Sequence, residues 1–427
     1  PEDKMAPGLE SAKQIYVFYH PDVSPTTLGE TIEVDRITDI ETIASRDDVA
    51  WIEPVGEDEE HNDGSRAIVR VEPVQAVGMN GTSIVVAMHD GGAPQHTPTH
   101  PDYGFTVTDW ENAGVANHAT HVAGTLAGNG NSNTPPGLYR GMAPDITSIQ
   151  ACSFNLDNCG FVSGGIDNEP EELVWLINNA NVDLSQNSWG RVYIPGLPGN
   201  YTDRSRRYDG VVWPGPWPWT WPSPPGDPDH PIPIIFSAGN EGSRGYGSIM
   251  PPGGTAKNTI VVGSIDSNTR NISGFSSRGP TDDGRTKPDV VAAGCETPRN
   301  DSNPNQTIWS TWPPATYGGM CGTSMAAPAV SGVVADILEA LNTYPGGLTV
   351  RPSLIKALLA HTADKYMVAN SVGGGVTNGR GHGVVDASMA LQLIHLNHAS
   401  PGVYIHQANI NQGEIHTYTI PAPPNIP

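Results

Sequence analysis

The chain has 427 residues, with 49 Gly, 40 Pro and only 16% charged residues, a composition that fits a loop-rich globular protein and excludes helical bundles and coiled coils. Acidic residues outnumber basic ones 45 to 22, and the formal charge of -23 argues against nucleic acid or an anionic membrane surface as a partner. No apolar run in the sequence approaches the roughly 18 residues that a membrane span needs.

Three regions follow one another. Residues 1–55 read as a small α+β unit: KQIYVFYH as a strand, ITDIETIASRDD as a helix and DVAWIEP as a second strand. The acidic stretch GEDEEHNDGS at 56–65 reads as an exposed linker. Residues 66–400 then alternate β-branched runs with helical segments. The strands are SIVVAM (83–88), ITSIQA (146–151), IPIIFS (232–237) and NTIVVG (258–263). The helices are HATHVAGTLAG, EPEELVWLINNA, TSMAAPAVSGVVADILEAL and PSLIKALLAHTA. Near-continuous apolar strands alternating with helices predict an α/β fold: a doubly wound parallel sheet with helices on both faces. Such a sheet carries its chemistry at the carboxyl ends of its strands.

Within that region, residues 213–233 interleave Trp213, Trp217, Trp219 and Trp221 with prolines and read as a surface insertion. Residues 401–427 alternate polar and apolar residues about an Asn-Gln-Gly turn, as at the start of a β domain cut short. Four cysteines fall in two local pairs, Cys152 with Cys159 and Cys295 with Cys321. Such pairing suggests two disulfides and an oxidising, extracellular setting; four free thiols is the alternative.

Four residues sit where a hydrolytic site would need them. Asp90 ends a predicted strand before Gly91-Gly92, although Asp is also an ordinary turn residue. His118 lies in the first turn of a small-residue helix, and His121, one turn on, reads as a core histidine. Ser324 opens a long apolar helix, where the amides of the first turn favour negative charge. On its segment alone a capping role is equally open, for Ser324 or for Thr323. Asn240 closes the strand IPIIFS between Gly239 and Gly242. A serine nucleophile needs a base, the base a carboxylate, and the oxyanion a donor, and the sequence supplies one of each.

The segments SIVVAMHDGG, HATHVAGTLAG, SAGNEG and GTSMAAPAVSG resemble the aspartate, histidine, oxyanion and serine motifs of the subtilase family, in that family's Asp-His-Ser order. GMAP (141–144), FSSRGPTDDGRTKPDVVAAG (275–294) and GRGHGVVDASMAL (379–391) agree. The resemblance implies a subtilisin-like serine endopeptidase, with Asp90, His118 and Ser324 as triad and Asn240 as oxyanion donor. It places Ser188, Trp189, Gly190, Ala238, Gly239 and Glu241 along the substrate cleft, with large apolar side chains preferred at P1. NSWG, YTDRSRRYD and GTAKNTIVVG are similar to the oxidant-stable alkaline proteases of the family.

Residues 1–55 resemble the inhibitory propeptide, so the chain is expected as a proform inhibited by its own propeptide, acting on peptide or protein substrates. No cofactor is implied for catalysis. Structural Ca2+ is implied, with no recognisable ligand set and no D-x-D-x-D-G loop. Gly91 and Ala119 depart from the usual Ser or Thr and Gly, and Ala293-Gly294-Cys295 replaces a common Pro-Gly pattern. Two other functions remain open on sequence: a silent binding scaffold, and a ligase that passes the acyl group to an amine.

Overall fold

The computed structural model describes residues 14–19, 29–33, 37–54, 62–132, 137–156, 159, 168–213, 228–296, 307–369, 375–409 and 413–417. The N-terminal unit holds β1 (Gln14–Tyr19), β2 (Gly29–Glu33), α1 (Ile37–Ala44) and β3 (Val49–Pro54). The strands pair antiparallel in the order β2-β1-β3. Ile15 and Val17, two apart on β1, face the same side and pack with Ile40, Ala44, Val49 and Ile52. The sequence reading finds β1, α1 and β3 but not β2.

The acidic stretch is not linker throughout. Helix α2 (Asn62–Val69) begins inside it, and its Ser65 is fully buried. Asn and Asp are favoured at helix starts for the same polarity that makes them look like linker. Then follow α3 (Glu72–Ala76), β4 (Val85–Asp90), β5 (Thr106–Asp109), α4 (Asn117–Ala127), β6 (Ser148–Ser153), α5 (Glu169–Ala180), β7 (Leu184–Asn187), α6 (Asp203–Val212), β8 (Ile234–Ser237), β9 (Ile260–Asp266) and β10 (Val290–Cys295). A hairpin, β11 (Ile308–Trp312) with β12 (Thr316–Met320), precedes α7 (Thr323–Thr343), α8 (Pro352–Thr362) and α9 (Ala387–Ala399).

Seven strands form one sheet in the order β10-β9-β8-β7-β4-β6-β5, and every neighbouring pair is parallel. Alternate residues of a strand feed opposite layers. Val86 and Met88 of β4 join the core that includes α4, α7 and α9, while Ala87 joins the core of α5 and α6. In β8, Ile235 faces the first layer, and Ile234 and Phe236 the second. This is the expected sheet with helices on both faces.

Helix α7 has the length and hydropathy of a bilayer span, yet 89% of its most apolar window is buried inside the protein. It crosses α4 closely: a Cβ at Gly332 would lie 2.9 Å from the Leu126 carbonyl oxygen. From β4 the chain runs outward to β5, returns through β6, and then places β7 on the other side of β4. The switch point therefore lies between β4 and β7, and the crevice at their carboxyl ends is where a ligand fits.

Two sequence expectations fall largely outside the described residues. The described residues of 401–417 form turns and extended coil with no strand pairing, and 410–412 and 418–427 lie outside the described residues. Most of the Trp/Pro-rich insertion, 214–227, lies outside the described residues.

Candidate active site

Asp90 is the last residue of β4, and His118 is the second residue of α4. The ring Nδ1 lies 2.9 and 2.8 Å from the two carboxylate oxygens of Asp90, and the Gly91 amide donates to the same carboxylate at 2.7 Å. A carboxylate accepts only, so Nδ1 carries the proton in the neutral ring and Nε2 keeps its lone pair. Burial of the ring favours its neutral form, but the hydrogen bond and charge of Asp90 outweigh that. The net shift raises the His118 pKa above its usual 6.5.

His89 pairs with Asn187 across β4 and β7, so the next residues, Asp90 and Ser188, emerge side by side at the carboxyl edge. Ser324 reaches this edge from the same helix layer as His118, as the second residue of α7. Its hydroxyl donates to the Ser188 carbonyl at 3.2 Å, and the Ser188 hydroxyl donates to the Ser324 carbonyl at 2.9 Å. Ser324 does not cap its helix. The N-cap is Gly322, no side chain caps it, and Thr323 turns its hydroxyl elsewhere.

Thr323 turns toward Asn240. Its amide and its hydroxyl both donate to Asn240 Oδ1 at 3.0 Å, while the Gly239 amide donates to the Thr323 hydroxyl at 3.2 Å. A backbone N–H cannot donate to an NH2 group, so this fixes which end of the Asn240 amide is oxygen. The NH2 end is left for another acceptor. It lies beside the turn: a Cβ on Gly322 would sit 3.4 Å from Asn240 Nδ2 and 3.5 Å from the Ser324 amide nitrogen. First-turn amides such as that of Ser324 have no acceptor within the helix.

The six residues expected along the cleft fall on two neighbouring walls. Ser188, Trp189 and Gly190 leave β7, and Ala238, Gly239 and Glu241 leave β8, which pairs with β7. Between the walls packs Met250, which the sequence reading did not single out. It lies 3.9 Å from the Cβ position of Gly190 and 3.7 Å from that of Gly239, and it is only 5% exposed. Glu241 is not a free carboxylate: Arg244 Nε meets it at 2.6 Å, and the Arg244 guanidinium stacks 3.5 Å from the centroid of the Tyr193 ring.

His121 behaves as a core residue. It is fully buried, its Nε2 lies 2.8 Å from the Ile308 carbonyl, and burial pushes its pKa down to about 4. Among the described residues no group of three or more His, Cys, Asp or Glu side chains gathers as a metal site. Both cysteine pairs are bonded, with Cα–Cα separations of 5.8 Å for Cys152–Cys159 and 4.7 Å for Cys295–Cys321. Gly91 does not need to be glycine, since a Cβ there would meet Phe154 at an ordinary 3.6 Å.

A parallel sheet with a carboxylate-bound histidine and a helix-borne serine at its switch point is the architecture of a subtilisin-like serine protease. The profile of the subtilase family matches residues 19–384, and the chain belongs to that family. Subtilisin DY of Bacillus licheniformis is 27% identical over 314 residues, covering 73% of this chain and 94% of its own length. Subtilisin E of Bacillus subtilis (strain 168) is 30% identical over 283 residues, covering 65% of this chain but 61% of its own. Among solved structures, the Clostridium perfringens CspB protease superposes with a TM-score of 0.59 at 16% identity, covering 77% of this chain and 97% of that one. The prenylagaramide maturation protease PagA gives 0.53 at 18% identity, covering 76% and 98%. At those identities they support the fold alone.

Proposed function

We propose that this hydrolase, a member of the serine protease family just named, cleaves peptide bonds through an acyl-enzyme on Ser324. His118 Nε2 takes the Ser324 proton as the hydroxyl attacks the scissile carbonyl, then delivers it to the leaving amine. Asp90 holds the ring in the required tautomer and stabilises the imidazolium. The Asn240 NH2 and the Ser324 amide receive the oxyanion. The Ser324 hydroxyl rests on the Ser188 carbonyl, so a rotation about its Cα–Cβ bond precedes attack. The observation that carries this reading is the grip of Asp90 on His118, at the strand edge to which Ser324 is tied through Ser188.

The substrate lies extended against the walls at 188–190 and 238–241, as an added strand. P1 is apolar. The position of Met250 supports a shorter P1 side chain than the large ones expected from the motifs alone. Residues 1–55 act as an intramolecular inhibitor removed by cleavage, and the two disulfides favour an extracellular setting. Activity on casein and a peptide anilide, with and without Ser324→Ala, tests the assignment. Normal cleavage by the variant would rule it out, and the mass of the incubated protein reports the maturation cut.

A further inference from the structure

We propose that the Cys295–Cys321 disulfide is a positioning element of the active site, open to a small dithiol reductant, whose opening lowers turnover without unfolding the protein. The proposal rests on the protease reading above.

Cys321 is exposed, whereas the next two residues, Gly322 and Thr323, are buried, and Ser324 follows directly. That four-residue turn carries much of the oxyanion geometry. Thr323 fixes the orientation of the Asn240 amide, and Ser324 supplies the second donor. The turn is pressed against the end of β10. Gly322 N donates to the Gly294 carbonyl at 2.9 Å, and a Cβ on Gly294 would lie 2.5 Å from the Gly322 carbonyl oxygen. A backbone hydrogen bond and the disulfide both make this join.

The segment between the two cysteines is anchored on the helix that bears His118. Ser310 Oγ donates to the His121 carbonyl at 2.9 Å, and Thr311 Oγ1 to the Thr120 carbonyl at 2.8 Å. A Cβ on Gly124 would overlap the Thr311 side chain, so the hairpin sits directly on α4. The hairpin is thus held to α4 at its middle, and the bridge returns its far end to β10. Opening the bridge frees the chain immediately before Thr323. Small displacements there matter, because a misplacement of about 1 Å can lower turnover by about 10²-fold.

The chemistry needs a dithiol such as dithiothreitol. Its thiolate attacks the sulfur of Cys321, the more exposed residue of the pair, the S–S bond breaks, and Cys295 leaves as a thiolate. The second thiol of the reagent then displaces the Cys321 thiolate as it closes the oxidised ring, leaving two protein thiols once both are protonated. The second disulfide serves as an internal comparison. Cys152 and Cys159 are 1% and 0% exposed, so the same reagent reaches them poorly.

The test is graded reduction of the protein after its maturation cut, followed by alkylation, peptide mapping and kinetics on a peptide anilide. We expect Cys295 and Cys321 to be alkylated first, kcat to fall at least tenfold, and KM to stay within about twofold. Fluorophosphonate labelling of Ser324 should slow in parallel, and reoxidation should restore both rates. Cys295→Ser/Cys321→Ser should show the low kcat without reductant and no further response. If that variant does not fold, the reversible reduction of the wild type still decides the matter. Unchanged kcat with Cys295 and Cys321 alkylated, or a loss that tracks Cys152 and Cys159 instead, overturns the proposal. A fully oxidised wild type that, after its maturation cut, neither cleaves peptides nor takes the label contradicts the protease reading, and this proposal with it.

Discussion

Thr323 holds Asn240 by its amide and its hydroxyl, both 3.0 Å from the same Oδ1. The residue beside Ser324 thus decides which way the Asn240 side-chain amide faces. Without these bonds the Asn240 amide could turn its oxygen toward the substrate, where it would repel the developing charge.

Asn240→Ala should therefore lower kcat with little change in KM. The expected factor is about 10²–10³, the magnitude known for the corresponding donor of subtilisin itself. Thr323→Ala removes one of the two bonds and keeps the backbone one. A loss of about 1 kcal/mol, or roughly fivefold in kcat, should follow, with Thr323→Ser restoring it. Steady-state kinetics on a peptide anilide checks both, and equal effects from the two variants would contradict this arrangement.

The pH profile follows from Asp90. His118 must be neutral to accept a proton, and its pKa is raised above 6.5 because Asp90 outweighs burial. Activity should therefore fall as pH drops, with the acid limb of kcat/KM centred above 6.5. Asp90→Asn removes the raising interaction, so the limb should move to lower pH while kcat drops by about 10⁴-fold, as in the analogous triad variant of a serine protease. A limb unmoved by this substitution would show that His118 is not the titrating group.

Met250 gives a prediction about substrate choice. Replacing it with Ala or Gly deepens the slot between Gly190 and Gly239. At about 0.8 kcal/mol per newly buried CH2, kcat/KM for Phe at P1 should rise relative to Ala at P1 by tenfold or more. Profiling with a P1 series on the wild type and Met250→Ala measures the ratio. An unchanged ratio places the P1 side chain elsewhere.

The parallel sheet was legible because β4, β6, β8 and β9 carry apolar or β-branched runs that only a doubly covered strand can bury. Strand β7, at the centre of the sheet, was not. Its residues Ser185, Gln186 and Asn187 are fully buried yet polar, so no apolar run marks them. They satisfy one another and their neighbours: Asn187 Nδ2 donates to Ser185 Oγ and to the Ile235 carbonyl, and Gln186 Nε2 to Ser188 Oγ. Tertiary partners, rather than local pattern, make that strand. Strand β5 is only four residues, TVTD, and mostly half-buried at the sheet's edge, with equally little signal.

The site divides in the same way. Asp90, His118, Asn240 and Ser324 were visible because motif context marked each of them. Met250, Arg244 and the reciprocal bonds of Ser188 and Ser324 depend on contacts between distant segments, which no spacing in the sequence announces.

The most direct measurement is the site of covalent attachment of a fluorophosphonate. The reagent reacts with a serine only where a base and an oxyanion donor meet at its hydroxyl. Once its N-terminal unit has been cleaved off, the chain should take up one equivalent, peptide mapping should place it on Ser324, and His118→Ala should abolish the labelling. An adduct on another residue, or undiminished labelling without the His118 ring, would contradict the assignment of these side chains to one catalytic centre.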